Sequence, residues 1–99
     1  MKYFFLLFPL ILTAQITNIK GFVKSESSTL GFASISLVDS EFGVISDENG
    51  YFEFEVDLSK HKHIMVSYIG HVSKKISLTN KDLDLNTLIV LLDEDINGL

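Results

Sequence analysis

Residues 43–54 have the sequence GVISDENGYFEF and join a tight turn to the beginning of a strand. Asp47 and Asn49 are turn formers because their side chains bond nearby backbone N–H groups, and Gly50 accepts positive φ. From Tyr51 onward, apolar side chains alternate with carboxylates. This period of two is typical of a half-buried strand with one face against a core and the other in water. The stretch therefore predicts an all-β, antiparallel chain.

The same alternation recurs along the chain and predicts further strands, with turn formers between most of them. The predicted strands are residues 16–23, 31–38, 43–46, 51–57, 64–69, 71–78 and 85–92. The stretch 64–69 is apolar on both faces, which indicates a strand in the interior of a sheet. Short strands at a spacing of roughly 8–12 residues are typical of a seven-stranded antiparallel β-sandwich with Greek-key-like connections.

The apolar side chains that share one face of each predicted strand form the expected core. They are Ile19 and Val23 (with Gly21 between them), Ala33, Ile35, Leu37, Phe52, Phe54, Val56, Val72, Ile76, Leu78, Leu88, Val90 and Leu92. In residues 64–69 both faces are apolar, Ile64, Val66 and Tyr68 on one and Met65 and Ile69 on the other, so the face that meets the core stays open. Four lysines, Lys20, Lys24, Lys74 and Lys75, are expected to protect strand edges from pairing with other chains.

The first 14 residues have the layout of a secretory signal peptide. Lys2 gives a basic start, residues 3–12 are almost wholly apolar, and Ala14 is a small residue before the expected cleavage site. The apolar run of about ten residues is too short to cross a bilayer core of about 30 Å as a helix. The sequence predicts a signal peptide at 1–14, one domain at 15–95 and a C-terminal tail at 96–99, in an exported protein.

Charge and composition restrict the partners. The chain contains no arginine, and loss of Lys2 with the signal leaves seven lysines against thirteen carboxylates, a net charge of about −6. Nucleic acid and anionic membranes attract cationic surfaces, so neither is an expected partner. No cysteine occurs, which excludes disulfides and a lipoprotein anchor, so an apolar core must stabilise the domain.

Several ordered segments follow the pattern of a known family. They are residues 19–23 (IKGFV), 30–35 (LGFASI), 43–52 (GVISDENGYF), 66–71 (VSYIGH) and 88–92 (LIVLL). With these segments the chain resembles the carboxypeptidase-regulatory-like domains, transthyretin-like β-sandwiches common in exported proteins of Bacteroidetes-type bacteria. The structural motif that carries the resemblance consists of Gly43, Ser46, Asp47, Gly50, Phe52, Tyr68 and Gly70. His71 stands where the family usually has Tyr or Phe, and the proline often found near Leu30 is absent.

The resemblance implies a non-catalytic accessory domain. In such bacteria this domain often precedes the plug of TonB-dependent outer-membrane receptors and faces the periplasm. It also occurs on other exported proteins and as short stand-alone chains. The expected partner is therefore another exported or outer-membrane protein, and a glycan or peptide ligand is the alternative. The sequence ends at Leu99, where a receptor would continue, so a stand-alone domain and the front of a longer receptor both stay open.

Candidate residues for catalysis or metal binding are few. His61, His63 and His71 have the chemistry of zinc ligands, but the flanking lysines and the lack of a fourth ligand favour solvated histidines. The acidic turn at 47–50 lacks the pattern of about twelve residues that a calcium loop of the EF-hand type needs. No Gly-x-Ser-x-Gly elbow occurs. The sequence predicts no enzyme, no cofactor and no metal site.

Aromatic side chains offer a different kind of candidate site. Phe32, Phe42, Tyr51 and Tyr68 are candidates for an exposed patch that binds a glycan or a protein, although core packing is the commoner fate of such residues. Strand addition at an exposed sheet edge is a further route to a partner.

Overall fold

The computed structural model describes residues 16–95, which form seven strands and no helix over that range. The strands are β1 (Ile16–Lys24), β2 (Ser34–Leu37), β3 (Gly43–Ile45), β4 (Tyr51–Asp57), β5 (His63–Ser67), β6 (Lys74–Ser77) and β7 (Leu88–Leu91). Each strand lies within or close to a predicted one, and most are shorter than predicted. The predicted signal peptide at 1–14 and the tail at 96–99 lie outside the described residues.

The strands form two sheets. One has three strands in the order β4-β1-β7, and the other has four in the order β3-β2-β5-β6. The predicted all-β sandwich is confirmed, and β5 has the interior position expected of residues 64–69. The pair formed by β1 and β7 is parallel, whereas the other pairs are antiparallel. This pair departs from the prediction because alternation indicates which face a side chain takes, but not the direction of the neighbouring strand.

The core lies between the two sheets and is built from the alternating side chains. The buried members are Ile19, Val23, Leu30, Ala33, Ile35, Leu37, Phe52, Phe54, Val56, Ile64, Val66, Leu78, Leu88, Val90 and Leu92. In β4 the Phe52 and Phe54 rings stack with centroids 6.2 Å apart. Full burial of one such side chain contributes about 1.5–3 kcal/mol, so the alternation in β4 is a principal source of stability.

Three expectations about side-chain position are wrong. Val72 is exposed, because β6 begins only at Lys74 and Val72 lies in the loop before it, where its N–H donates to the Asp93 carbonyl at 2.8 Å. Lys20 and Lys24 do not protect an edge, because β1 is the middle strand of its sheet. Lys74 does lie on the edge strand β6, and its Nζ donates to the Leu91 carbonyl of the edge strand β7 at 3.2 Å.

Candidate functional site

Four loop segments meet at one end of the sandwich, which we call the motif end. They are residues 25–33, 46–50, 68–73 and 92–95, and each begins or ends at a strand terminus on that side. The Phe32 N–H donates to the Ser46 carbonyl at 3.1 Å, which joins the first two segments. The Asp95 N–H donates to the Gly70 carbonyl at 2.9 Å, which joins the last two. Most residues of the family-like motif therefore lie together.

The turn at 47–50 is organised by one carboxylate. Asp47 Oδ1 accepts the backbone N–H of Asn49 at 2.8 Å and that of Tyr51 at 3.0 Å. The Gly50 N–H donates to the Asp47 carbonyl at 2.9 Å, and Gly50 has φ +84°. The turn-forming roles expected of Asp47 and Gly50 agree with this geometry, and the carboxylate is occupied by structural hydrogen bonds.

Ser46 fastens this turn to the segment before β2. Its side chain is 1 % exposed, its Oγ accepts the Ala33 N–H at 2.8 Å, and its hydroxyl donates to the Leu30 carbonyl at 3.1 Å. The backbone N–H of Ser46 also donates to the Ala33 carbonyl at 2.9 Å. One hydroxyl thus satisfies a buried donor and a buried acceptor, as the interior requires.

Replacing Ser46 by alanine is expected to lower the free energy of unfolding by about 1–3 kcal/mol, because the Ala33 N–H and the Leu30 carbonyl lose their partner in the interior. The measurement is the urea midpoint of the purified domain. Ser36→Ala is the matched control, because the Ser36 hydroxyl is 3.5 Å from the Met65 carbonyl, at the limit of a hydrogen bond. Equal midpoint shifts in the two variants would contradict the role given to Ser46.

The segment at 68–71 forms the neighbouring part of the motif end. Tyr68 and His71 are in edge-to-face contact with ring centroids 5.3 Å apart, and the His71 N–H donates to the Tyr68 carbonyl at 3.0 Å. Gly70 lies between them with φ +78°. His71 therefore packs its ring where the family usually has a Tyr or Phe ring.

Two motif residues lie away from the surface of the motif end. Phe52 is buried in the core, and Gly43 lies at the opposite end of β3, across from Ser36 on β2. The structure therefore brings together five of the seven predicted motif residues at one end. Gly43 and Phe52 contribute to the strands behind it.

The surface of the motif end is apolar and acidic. The exposed large apolar side chains in its loops are Phe32, Ile69 and Val72, and the exposed Ile45 lies next to it at the end of β3, on the outer face of the four-stranded sheet. A cleft of about 280 Å³ at the same end of the sandwich is lined by Glu26, Ser27, Leu92, Asp93 and Glu94. The sequence analysis did not identify Ile69 and Val72 as surface residues. It placed Ile69 in a strand that ends at Ser67 in the structure, and Val72 in a strand that begins at Lys74.

The three histidines are not brought together. His63 pairs with Ser77 at the end of the sandwich opposite the motif end, and His61 precedes it in the loop after β4. His71 belongs to the motif end. Within residues 16–95, no three His, Cys, Asp or Glu side chains are grouped so that they could hold a metal ion.

The four aromatic candidates do not form one patch. Phe42 lies at the end opposite the motif end and packs on Phe54, with ring centroids 6.0 Å apart. Tyr51 instead contacts Phe22 on the outer face of the three-stranded sheet, with centroids 5.3 Å apart. Phe32 and Tyr68 belong to the loops of the motif end. The predicted patch is therefore divided among three places.

A small polar network borders the contact between Tyr51 and Phe22. Glu53 accepts the Asn18 side-chain N–H at 3.2 Å and the Tyr51 hydroxyl at 2.9 Å. These bonds favour the carboxylate and lower the pKa of Glu53 below its ordinary value of 4.5, with the Asn18 bond as the largest cause. The hydrogen bond that the Tyr51 hydroxyl donates to Glu53 raises the pKa of that hydroxyl above its ordinary value of 10.0.

Asn18→Ala and Tyr51→Phe are each expected to raise the pKa of Glu53, because each removes a hydrogen bond that stabilises the carboxylate. Since the folded state lowers this pKa, the contribution to stability is present above the unfolded pKa and is lost as pH falls through the folded pKa. NMR titration of the Glu53 carboxyl carbon measures the shift. Lys75→Met, on the other sheet, is the control that leaves the pKa unchanged, and an unchanged pKa of Glu53 in both Asn18→Ala and Tyr51→Phe would contradict the assignment.

Comparisons with known proteins agree with this architecture. Over residues 16–95, no helix is long and apolar enough to span a membrane. No curated protein matches the chain in sequence. The model of the CarboxypepD_reg-like domain matches residues 19–99, which include all seven strands but for the first three residues of β1. The chain therefore belongs to the family of CarboxypepD_reg-like domains.

Proposed function

We propose that this domain works by contact with another exported protein, in the periplasm, as an accessory part of a TonB-dependent outer-membrane receptor system. Its family is a regulatory, non-catalytic β-sandwich. The observation that carries the proposal is the surface of the motif end, whose loops expose three large apolar side chains, those of Phe32, Ile69 and Val72, and carry several carboxylates. An exposed apolar surface that is bordered by polar residues is a mark of an interaction site.

The polar motif residues support a scaffolding role at this surface. The hydroxyl of Ser46 and the carboxylate of Asp47 are both used in hydrogen bonds that hold the loops. Loops fixed in this way present their side chains in one arrangement, which reduces the entropy lost on binding. The motif therefore prepares a surface for a partner.

The export and receptor parts of the proposal can be tested together. We expect the full chain, expressed in its native host with a C-terminal affinity tag, to be recovered from the periplasmic or outer-membrane fraction with Gln15 as its first residue. Chemical crosslinking before isolation is expected to enrich a TonB-dependent receptor. Recovery in the cytoplasm with Met1 intact would overturn the export part, and recovery after export without a receptor would overturn the receptor part.

A glycan-binding module is the second candidate, and the outer face of the three-stranded sheet favours it. Tyr51 and Phe22 form an aromatic pair there, beside the Asn18 amide and the Glu53 carboxylate. Stacking rings next to polar groups suit a sugar, which has apolar faces and a rim of hydroxyls. If this candidate is right, calorimetric titration with soluble oligosaccharides gives a saturable heat that Tyr51→Ala removes; no heat with any of them would reject it.

A further inference from the structure

Phe32 has a backbone conformation that is unfavourable for its side chain. Its φ is +64°, in the left-handed region, and its side chain is 69 % exposed. A bulky residue with positive φ is an outlier that persists only where the surrounding structure imposes it. Because most of the ring is in water, burial does not compensate for the strain. A glycine at this position would suit the fold better, so Phe32 needs an explanation other than stability.

The backbone of Phe32 is held firmly by the adjacent turn. Its N–H points at two carbonyls, those of Ser46 at 3.1 Å and Asp47 at 3.3 Å. The preceding Gly31 packs so closely on the turn that a Cβ there would lie 2.7 Å from the Glu48 carbonyl oxygen. The backbone that carries the Phe32 ring is therefore constrained by hydrogen bonds and close packing.

Ile69 is presented in a similar way from the next loop. It is 86 % exposed, its carbonyl oxygen lies 3.1 Å from His71 Nδ1, and Gly70 turns the chain directly after it. In the sheet, Ser34 of β2 is paired with Ser67 of β5. Phe32 lies two residues before Ser34, and Ile69 lies two residues after Ser67. Because β2 and β5 are antiparallel, both residues lie at the same end of this strand pair.

The four loops of the motif end contain six acidic residues and no lysine. The backbone carbonyl of Asp47 accepts the Phe32 N–H, and the Asp95 N–H donates to the Gly70 carbonyl beside Ile69, so acidic residues adjoin both side chains along the chain. The residues that line the cleft of about 280 Å³ include Glu26, Asp93 and Glu94. Two lysines adjoin these loops at strand ends, Lys24 and Lys74, and the Lys74 Nζ donates to the Leu91 carbonyl at 3.2 Å. A partner surface that carries lysine or arginine complements this charge.

We propose that Phe32 and Ile69 are a pair of anchors that insert into an apolar cleft on a partner protein whose rim carries basic side chains. This inference rests on the proposed function and adds the contact residues and the chemistry of the partner. Two projecting apolar side chains fit a concave surface, and central apolar anchors within a charged rim are the usual arrangement of energetic hot spots. The strain at Phe32 is then a cost to the free domain that is retained for binding.

The first test locates the partner contact. A photo-crosslinking benzoyl-phenylalanine is placed at position 32, 69 or 89 of the full chain in the native host. Position 89 is the control, because Ile89 is exposed on the outer face of the three-stranded sheet. We expect a discrete protein adduct from 32 and 69 and none from 89, with the crosslinked segment of the partner containing both apolar and basic residues.

The second test uses the purified partner and separates binding from folding. Phe32→Gly and Ile69→Thr are each expected to weaken binding at least tenfold, while Ile89→Thr leaves it unchanged. Phe32→Gly is also expected to keep or raise the thermal midpoint, which a merely structural role for Phe32 would not permit. Affinity for the wild-type domain should fall as salt increases.

Several results would overturn the anchor pair. They are adducts only from position 89, adducts with lipid or with a second copy of the domain, no adduct at all, and equal affinity of Phe32→Gly and the wild type. A receptor that crosslinks only through position 89 would reject the anchors and leave the proposed function standing. A protein adduct through 32 and 69 to something other than a receptor would retain the anchors and reject the receptor link.

Discussion

Alanine in place of Gly21 is expected to destabilise the domain by about 3 kcal/mol, because overpacking between fixed strands forces the backbone to move. Gly21 lies in β1, the middle strand of its sheet, opposite Phe52 on β4 and Leu88 on β7. A Cβ at this position would overlap the Leu88 carbonyl oxygen and lie 2.9 Å from Phe52 Cζ. Because β1 lies between β4 and β7, moving it away from β7 to relieve the overlap would push it against β4. A loss of this size is a large part of the stability of so small a domain.

The urea midpoint measures the effect, and Gly43→Ala is its matched control. Gly43 is also a glycine in a strand, but β3 is an edge strand, and a Cβ there would lie 3.1 Å from the Ile35 carbonyl oxygen. An edge strand can shift by the few tenths of an ångström required, so we expect a change below about 1 kcal/mol. Comparable losses in both variants would mean that position within the sheet does not matter.

Gly50→Ala is the second substitution with a large expected effect, a loss of about 2–4 kcal/mol that combines backbone strain with overlap. Gly50 has φ +84°, and a Cβ would lie 2.7 Å from the Val23 carbonyl oxygen. The Gly50 carbonyl also accepts the Val23 N–H at 2.8 Å. Movement of the turn to relieve the overlap would therefore disturb its bond to β1. Thermal and urea unfolding both report this loss.

Gly70→Ala separates the two causes. Gly70 has a similar φ of +78°, but a Cβ there would meet no atom within 4 Å. Only the conformational cost remains, about 1–2 kcal/mol. A Gly70→Ala variant as unstable as Gly50→Ala would show that the overlap at Val23 contributes nothing.

The alternation in β4 allowed the most accurate prediction from sequence. The expected inward positions Phe52, Phe54 and Val56 are all buried, because a strand with a period of two can bury only one face. The turn before it was also predictable, since Asp47 and Gly50 act through their own backbone within a few residues. Both features depend on residues that are close together in the chain, so they can be predicted from the sequence alone.

The features that were not predicted depend on distant parts of the chain. The parallel pairing of β1 and β7 joins strands more than sixty residues apart, and no short-range pattern records it. Phe32 was expected within a strand, but the bonds from its N–H to the turn at 46–47 impose positive φ there. Ile69 and Val72 have core-like chemistry and are exposed only because their strands end early or begin late.

The bond from Lys74 to β7 has a consequence for colloidal behaviour. β7 is an edge strand with no charged residue, and its outward side chains Ile89 and Leu91 are exposed. An apolar edge of this kind is a nucleation point for fibrils and inclusion bodies, because its unpaired backbone groups accept further strands. The Lys74 ammonium occupies the Leu91 carbonyl at 3.2 Å and places a hydrated positive charge on that edge. Acetylation of this lysine, which belongs to the opposite sheet, would remove the charge, and we expect it to increase the tendency of the β7 edge to pair with further strands.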